Sequence, residues 1–122
     1  MLLIGHFGKL VKLAAGVMNT HSRFADARLE SITAHAALCG ASGAVCQALM
    51  GQVTTDGALA VLDEAGLRKA VTASLLTAMQ RHLERRAAGA FQIGAITFSN
   101  QFGLLGMTEP ALQMLKDWGA AK

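Results

Sequence analysis

Tyrosine is absent from this chain, proline and tryptophan occur once each, and charged residues make up only 16% of it. Each shortage closes off a class of function. Eleven basic against eight acidic residues leave a net charge of +3. That balance is mild and dispersed, with no basic stripe interleaved with aromatics, so no nucleic-acid footprint is present. No apolar stretch approaches the roughly 18 residues that a membrane span needs, because Lys9, Lys12, Arg23 and Asp26 interrupt the first apolar run early. Met1–Ile4 lacks both the cationic start and the length of a signal peptide, so a cytoplasmic location is expected. Cys39 and Cys46 stand seven apart and match no metal spacing; they read as small core residues in a reducing compartment. Neither GxxxxGK[ST] nor GxGxxG occurs, and no HExxH, Cys–His pair or Ser-His-Asp order suggests hydrolysis or a metal site.

What the chain does have is apolar residues, 52% of 122, in a length suited to one domain. Leu2–Gly5 reads as the end of a buried strand, followed by a turn at Gly5-His6-Phe7-Gly8. From Lys9, Leu10, Leu13, Ala14 and Val17 recur at helical spacing, and Asn19-Thr20-His21-Ser22 should break that helix. A second helix is expected from near Arg23 to Cys39, with Leu29, Ile32, Ala36 and Cys39 buried and Gly40 as its C-cap. A short helix follows over Ser42–Met50, with Val45, Cys46 and Leu49 inward. Thr54 or Thr55 caps another that ends at Gly66. Leu67–Ala88 is the longest, with Val71, Leu75, Ala78 and His82 near one face and Arg81, Arg85 and Arg86 towards its C-terminus.

Phe91–Phe98 is the clearest strand, apolar on both faces as a covered central strand should be. A loop of glycine-spaced turns then leads to a last helix, capped by Thr108, with Pro110 in its first turn, running through Leu112 and Leu115 to Trp118. The expected class is therefore α/β and helix-rich. Two buried parallel strands, about residues 1–5 and 91–98, stand with five or six helices in one domain. Two strands make a marginal sheet. Completion is expected from a missing N-terminal part or from another subunit of a homo-oligomer.

Three groups of residues can carry chemistry. At the first strand-to-helix junction, His6, Lys9 and Lys12 surround a glycine turn whose free amides and helix dipole favour an anion. Two lysines in the first turns oppose that dipole, so they either reach to solvent or hold a carboxylate or phosphate between them. The second group is Asn19, Thr20, His21, Ser22, Arg23, Asp26, Arg28 and Glu30. Asp26 and Glu30 lie at i and i+4, which suits plain surface ion pairs and an N-cap. Equally, His21 beside paired carboxylates can move a proton near neutral pH, and Arg23 and Arg28 can hold the carboxylates of a polyacidic ligand. The third is Ser99-Asn100, at the carboxyl end of the second strand, where α/β sheets collect their ligands. If the two strands run parallel, this loop and Gly5–Lys9 share one edge. His35 and His82, in mid-helix, read as structural.

The run Gly5-His6-Phe7-Gly8-Lys9, then Asn19-Thr20-His21-Ser22, then Ala25-Asp26-Ala27-Arg28-Leu29-Glu30 resembles the family of CbiD-type cobalt-precorrin-5B C(1)-methyltransferases. The agreement continues through Ala34–Leu38 and Gly40-Ala41 and returns at Phe98-Ser99-Asn100 with Gly103–Gly106. It matches the C-terminal portion of a longer protein. The resemblance implies methyl transfer from S-adenosylmethionine to ring carbon 1 of a corrinoid in anaerobic cobalamin biosynthesis. In that setting His21 becomes the catalytic candidate. His6, Lys9, Lys12, Asn19, Thr20, Ser22, Arg23, Asp26, Arg28, Glu30, Ser99 and Asn100 become candidates for the corrinoid or cofactor pocket, with no metal ligands. The competing expectation, from apolar content and size alone, is a non-catalytic helical interaction or oligomerisation domain.

Overall fold

The computed structural model describes residues 1–14 and 28–120. Its elements are β1 (Leu2–His6), α1 (Phe7–Ala14), α2 (Arg28–Leu38), α3 (Gly43–Met50), α4 (Thr55–Glu64), α5 (Arg68–Ala87), β2 (Gly94–Ser99), β3 (Gly103–Met107) and α6 (Glu109–Ala120). The α/β, helix-rich class expected from the sequence is the one found, with a three-stranded mixed sheet in the order β1-β2-β3. β1 and β2 run parallel in the register Leu2↔Gly94 to His6↔Phe98. β3 returns antiparallel, with an irregularity between Thr97 and Phe98.

Local chemistry sets most of the helix ends. Ser42 accepts from the Val45 amide at 3.2 Å and Thr54 from the Gly57 amide at 3.0 Å. Each satisfies an amide that the first turn of its helix leaves without a partner. At the other ends, Gly40 (φ 91°) and Gly66 (φ 72°) adopt the left-handed conformation. Ala41 N–H bonds to Ala36 C=O and Leu67 N–H to Leu62 C=O, closing a Schellman motif at both stops.

Burial follows helical periodicity. Phe7, Leu10 and Val11 of α1, Ile32 and Ala36 of α2, Leu59 and Leu62 of α4, and Val71, Leu75 and Met79 of α5 form one cluster with Ala95 of the sheet. At roughly 1.5–3 kcal/mol per large side chain removed from water, this cluster is the main favourable term in the fold. Leu29 and Cys39, expected inside, are half-buried against it, and Leu49 is the fully buried residue of α3.

Four expectations need correction. The turn expected over Gly5–Gly8 does not form: the strand continues to His6 and α1 starts at Phe7. His6 makes this possible, because its Nδ1 accepts from the Gly8 amide at 3.1 Å and caps the helix directly from the strand. The second strand begins at Gly94 rather than Phe91, which is 46% exposed. The glycine-spaced loop after Asn100 is instead strand β3, zipped to β2. Thr108 does not cap α6 with its hydroxyl. Its Oγ1 accepts from the Ala95 amide at 3.0 Å, and its own amide donates to Ala95 C=O at 2.9 Å, which extends the ladder one step past β3.

The two faces of the sheet are covered unequally. Leu3, Gly5, Ala95, Thr97 and Gly106 share the face against α1 and α5, where a Cβ on Gly5 would meet Leu10 and one on Gly106 would meet Leu76. The opposite face carries Ile4, Ile96, Phe98 and Leu104, with α6 against the Gly94 end. Ile4 stays 64% and Leu104 60% exposed, so β2 is central in order but not sealed on both faces.

Gly94 is where α6 meets the sheet backbone: a Cβ there would lie 2.5 Å from the Ala111 amide nitrogen. Backbone cannot yield as a side-chain tip can. Gly94→Ala should therefore cost about 3 kcal/mol in urea unfolding, while Gly106→Ala, which meets only the Leu76 terminal methyl, should cost about 1 kcal/mol. Equal costs for the two would contradict this packing.

Candidate functional site

Parallel pairing of β1 with β2 brings the ends of both strands to one edge of the sheet, as the strand-end argument required. His6 and Phe98 are register partners there, and their rings meet edge to face with centroids 5.7 Å apart. From this edge a cleft of about 390 Å³ opens between α1, α2 and α4, lined by His6, Gly8, Lys9, Lys12, Arg28, Thr54, Thr55 and Asp56.

The lining is dominated by donors. Lys9 is exposed at the mouth, whereas Lys12 is 3% exposed. Arg28 enters from the first described turn of α2. Because His6 Nδ1 accepts the Gly8 amide, the neutral ring carries its proton on Nε2. That nitrogen is buried without a hydrogen-bond partner. The first turns of α1 and α4 add the positive ends of two helix dipoles. Among the described lining residues Asp56 is the carboxylate, and its Oδ1 is likewise buried and unbonded. Gly8 is the enabling position, since a Cβ there would sit 3.0 Å from Thr55 Oγ1 and push α1 off α4.

Of the residues singled out in the sequence, the cleft collects His6, Lys9, Lys12 and Arg28. Glu30 is exposed in the first turn of α2 and does not line it. Ser99 is buried, with its Oγ accepting from the Phe102 amide at 2.9 Å to close the β2–β3 turn; Asn100 is exposed in that turn. Both lie at the expected edge but outside the cleft. Asn19, Thr20, His21, Ser22, Arg23 and Asp26 fall outside the described residues. Sequence reasoning missed Thr54, Thr55 and Asp56. They carried a helix-cap signal, and nothing local announced that their helix would start opposite Lys9.

With this geometry in hand, comparison with known proteins is decisive. The family model described as CbiD, C-terminal domain, matches residues 19–109, more than half of the chain. The chain belongs to the CbiD family. A cobalt-precorrin-5B C(1)-methyltransferase of Ruminiclostridium cellulolyticum is 43% identical over 122 residues, covering 96% of this chain and 32% of the relative. Proteins of the same name from Listeria monocytogenes serovar 1/2a and Alkaliphilus metalliredigens are each 36% identical, covering 97% and 98% of this chain and 32% of their own lengths. The chain thus spans about a third of the length of the curated relatives it matches. No solved structure matches it. Among the described residues, no helix of this CbiD-family chain is long and apolar enough to cross a membrane.

The proton affinity of His35 is displaced. Its Nδ1 lies 2.7 Å from Ser74 Oγ between α2 and α5. Burial, with Arg81 adding to it, holds its pKa below the ordinary value of 6.5. The unfolded chain therefore binds the proton more readily, and stability from this residue is present above pH 6.5 and lost as pH falls below it. Urea unfolding across that range should show the acid loss in the native sequence and a shallower loss in His35→Gln. Identical pH slopes would exclude His35 as the cause.

Proposed function

We propose that this chain is the substrate-gripping part of an S-adenosylmethionine-dependent cobalt-precorrin-5B C(1)-methyltransferase, and that the cleft between α1, α2 and α4 holds carboxylate arms of the corrinoid. One observation carries the reading: Lys9, Lys12, Arg28 and the buried Nε2–H of His6 line a single cleft at the starts of two helices. Each is a donor or a cation, and a carboxylate is an acceptor with two oxygens. Charge-assisted bonds from such groups are the stronger kind. The names of the relatives supply cobalt-precorrin-5B as the substrate, and the family resemblance implies a corrinoid carrying many carboxylate arms.

The reading puts the corrinoid rather than S-adenosylmethionine in this cleft, because the described lining is rich in basic side chains and the cofactor itself carries a sulfonium and an ammonium. When bound, the cofactor supplies the methyl group. The cleft's own work is to fix the macrocycle's orientation so that one ring carbon is presented, and cations on several sides suit that task. His21 is proposed as the proton-handling residue, on the resemblance and on the neutral pKa of imidazole. Wild-type cobalamin output from a complementation strain carrying His21→Ala would remove that role.

The cleft is tested by calorimetric titration with a corrinoid bearing free carboxylate arms, against its fully amidated counterpart. The acid form should bind and weaken as salt rises, because exposed charges are screened. Lys9→Ala and Arg28→Ala should each weaken binding about two- to fivefold, the range of partly exposed ion pairs. Equal binding of both corrinoids, without salt dependence, would overturn the reading.

A further inference from the structure

A second and larger cavity lies outside the cleft. It measures about 600 Å³, against about 390 Å³ for the cleft, and runs between one face of α5, the end of β3 and the first turn of α6. Thr108, on its wall, bonds to Ala95 near the amino end of β2, whereas the cleft opens past the carboxyl ends of the strands. Small-molecule sites commonly take about 300–1,000 Å³, with an apolar lining and a few polar groups that fix orientation. Here Leu76, Leu105, Met107 and Pro110 supply the apolar wall.

Gln80 marks the polar part. Its Nε2 donates to Glu84 Oε1 at 2.7 Å and to the Ile93 carbonyl at 2.8 Å. A carboxylate and a carbonyl only accept, so the amide cannot be turned over and the place of its oxygen is fixed. That Oε1 is buried without a hydrogen-bond partner. A buried acceptor left open in the wall of a cavity calls for a donor from outside the chain. Arg81 and Glu84 stand beside it, three apart on α5 and so neighbours on the helix surface. The described lining holds two basic residues, Lys69 and Arg81, and two acidic ones, Glu84 and Glu109. That balance does not suit a polyanion. It suits a group that carries both signs.

We propose that this cavity binds an α-aminocarboxylate with an apolar side chain, as a free amino acid or as one end of a larger molecule. The carboxylate meets Arg81, the ammonium meets Glu84 and Gln80 Oε1, and the side chain lies on Leu76, Leu105 and Met107. An ammonium has three donors, enough for the Glu84 carboxylate and the open oxygen together. Charge-assisted bonds of this kind are the stronger ones. A plain carboxylic acid would leave Glu84 and Gln80 Oε1 without a donor, and a plain amine would leave Arg81 unanswered. The site shares no residue with the carboxylate-binding cleft, so the two readings stand or fall separately.

Calorimetric titration with L-methionine, L-methioninamide and the deaminated acid of the same side chain separates the two charges. The amino acid should bind saturably, and the other two about two- to fivefold more weakly, the range of partly exposed ion pairs. Arg81→Gln should weaken methionine by the same factor and leave methioninamide unchanged. Glu84→Gln should weaken methionine and leave the deaminated acid unchanged. Ala73→Phe gives a measurement that does not depend on charge: Ala73 is exposed on α5 and lines the cavity, so a ring there fills the apolar part without entering the core, and binding should be lost. S-adenosyl-L-homocysteine, which carries the same group on a nucleoside, decides the source. Tighter binding than methionine points to the larger molecule, and equal or weaker binding to the free amino acid. The inference is overturned if neither methionine nor S-adenosyl-L-homocysteine binds, or if methionine and methioninamide bind alike. Binding that survives Ala73→Phe, or that falls with Lys9→Ala instead of Arg81→Gln, overturns it as well.

Discussion

The rest of the structure depends on the parallel pairing of β1 with β2. Among the described residues five helices separate the two strands in sequence, and the register locks Leu2 beside Gly94 and His6 beside Phe98. Closing so long a loop carries an entropic cost that grows slowly with length. The cost is met by what the closure lets α1 and α5 bury: Phe7, Val11, Val71, Leu75 and Met79 are all removed from solvent against the inner face of the sheet. The ladder even runs past the strand, since the terminal amine donates to Gln92 C=O and the Gly94 amide donates to Met1 C=O at 3.0 Å. Without this pairing, His6 and Phe98 would have no reason to share an edge.

Position follows from that pairing down to single atoms. With no turn between β1 and α1, the direction of the strand sets the direction of the helix, and Lys9 and Lys12 are aimed by it. The His6 imidazole is both the hinge of this junction and part of the cleft wall, which ties the fold of the segment to the chemistry it presents. Opposite, Thr54 caps α4 and so places Thr55 and Asp56 at the start of that helix. The cleft is therefore a meeting of helix beginnings set on the core beneath it.

This explains which parts were legible in the sequence. Ser42, Thr54, Gly40 and Gly66 were readable because a cap or a left-handed stop is decided within about four residues. β3 was not, because Gly103-Leu104-Leu105-Gly106-Met107 has turn-like glycines and becomes a strand only through β2 beside it, as β structure commonly does. Phe91 misled for the same reason: an alternating apolar pattern predicts a strand, but pairing begins only at Gly94. In the site, Lys9 was legible because a cation in a first turn is electrostatically out of place; Lys12, expected to share that placement, stands instead in the last turn of α1, and Arg28 was legible because it accompanies them in the family motif. Thr54–Asp56 were invisible as site residues, being more than forty positions from Lys9 and joined to it only by tertiary packing. Ser99 was placed at the correct edge, yet its hydroxyl is already committed to the turn.

The two lysines of α1 bear on energetics differently. α1 has no acidic residue in its first turn, where Lys9 opposes the dipole by about 0.3–1 kcal/mol, whereas Lys12 stands in the last turn, where a cation suits the dipole. Arg28 adds a third basic side chain to the same cleft, and Lys12 is almost wholly buried there, where electrostatic interactions are least screened. On the proposed reading, charge-assisted bonds from these groups would favour a carboxylate over a neutral group of equal shape. By linkage, any ligand that binds the folded cleft and not the unfolded chain must stabilise the fold in proportion to its occupancy. That is the physical reason for expecting the proposed site to discriminate by charge before it discriminates by form.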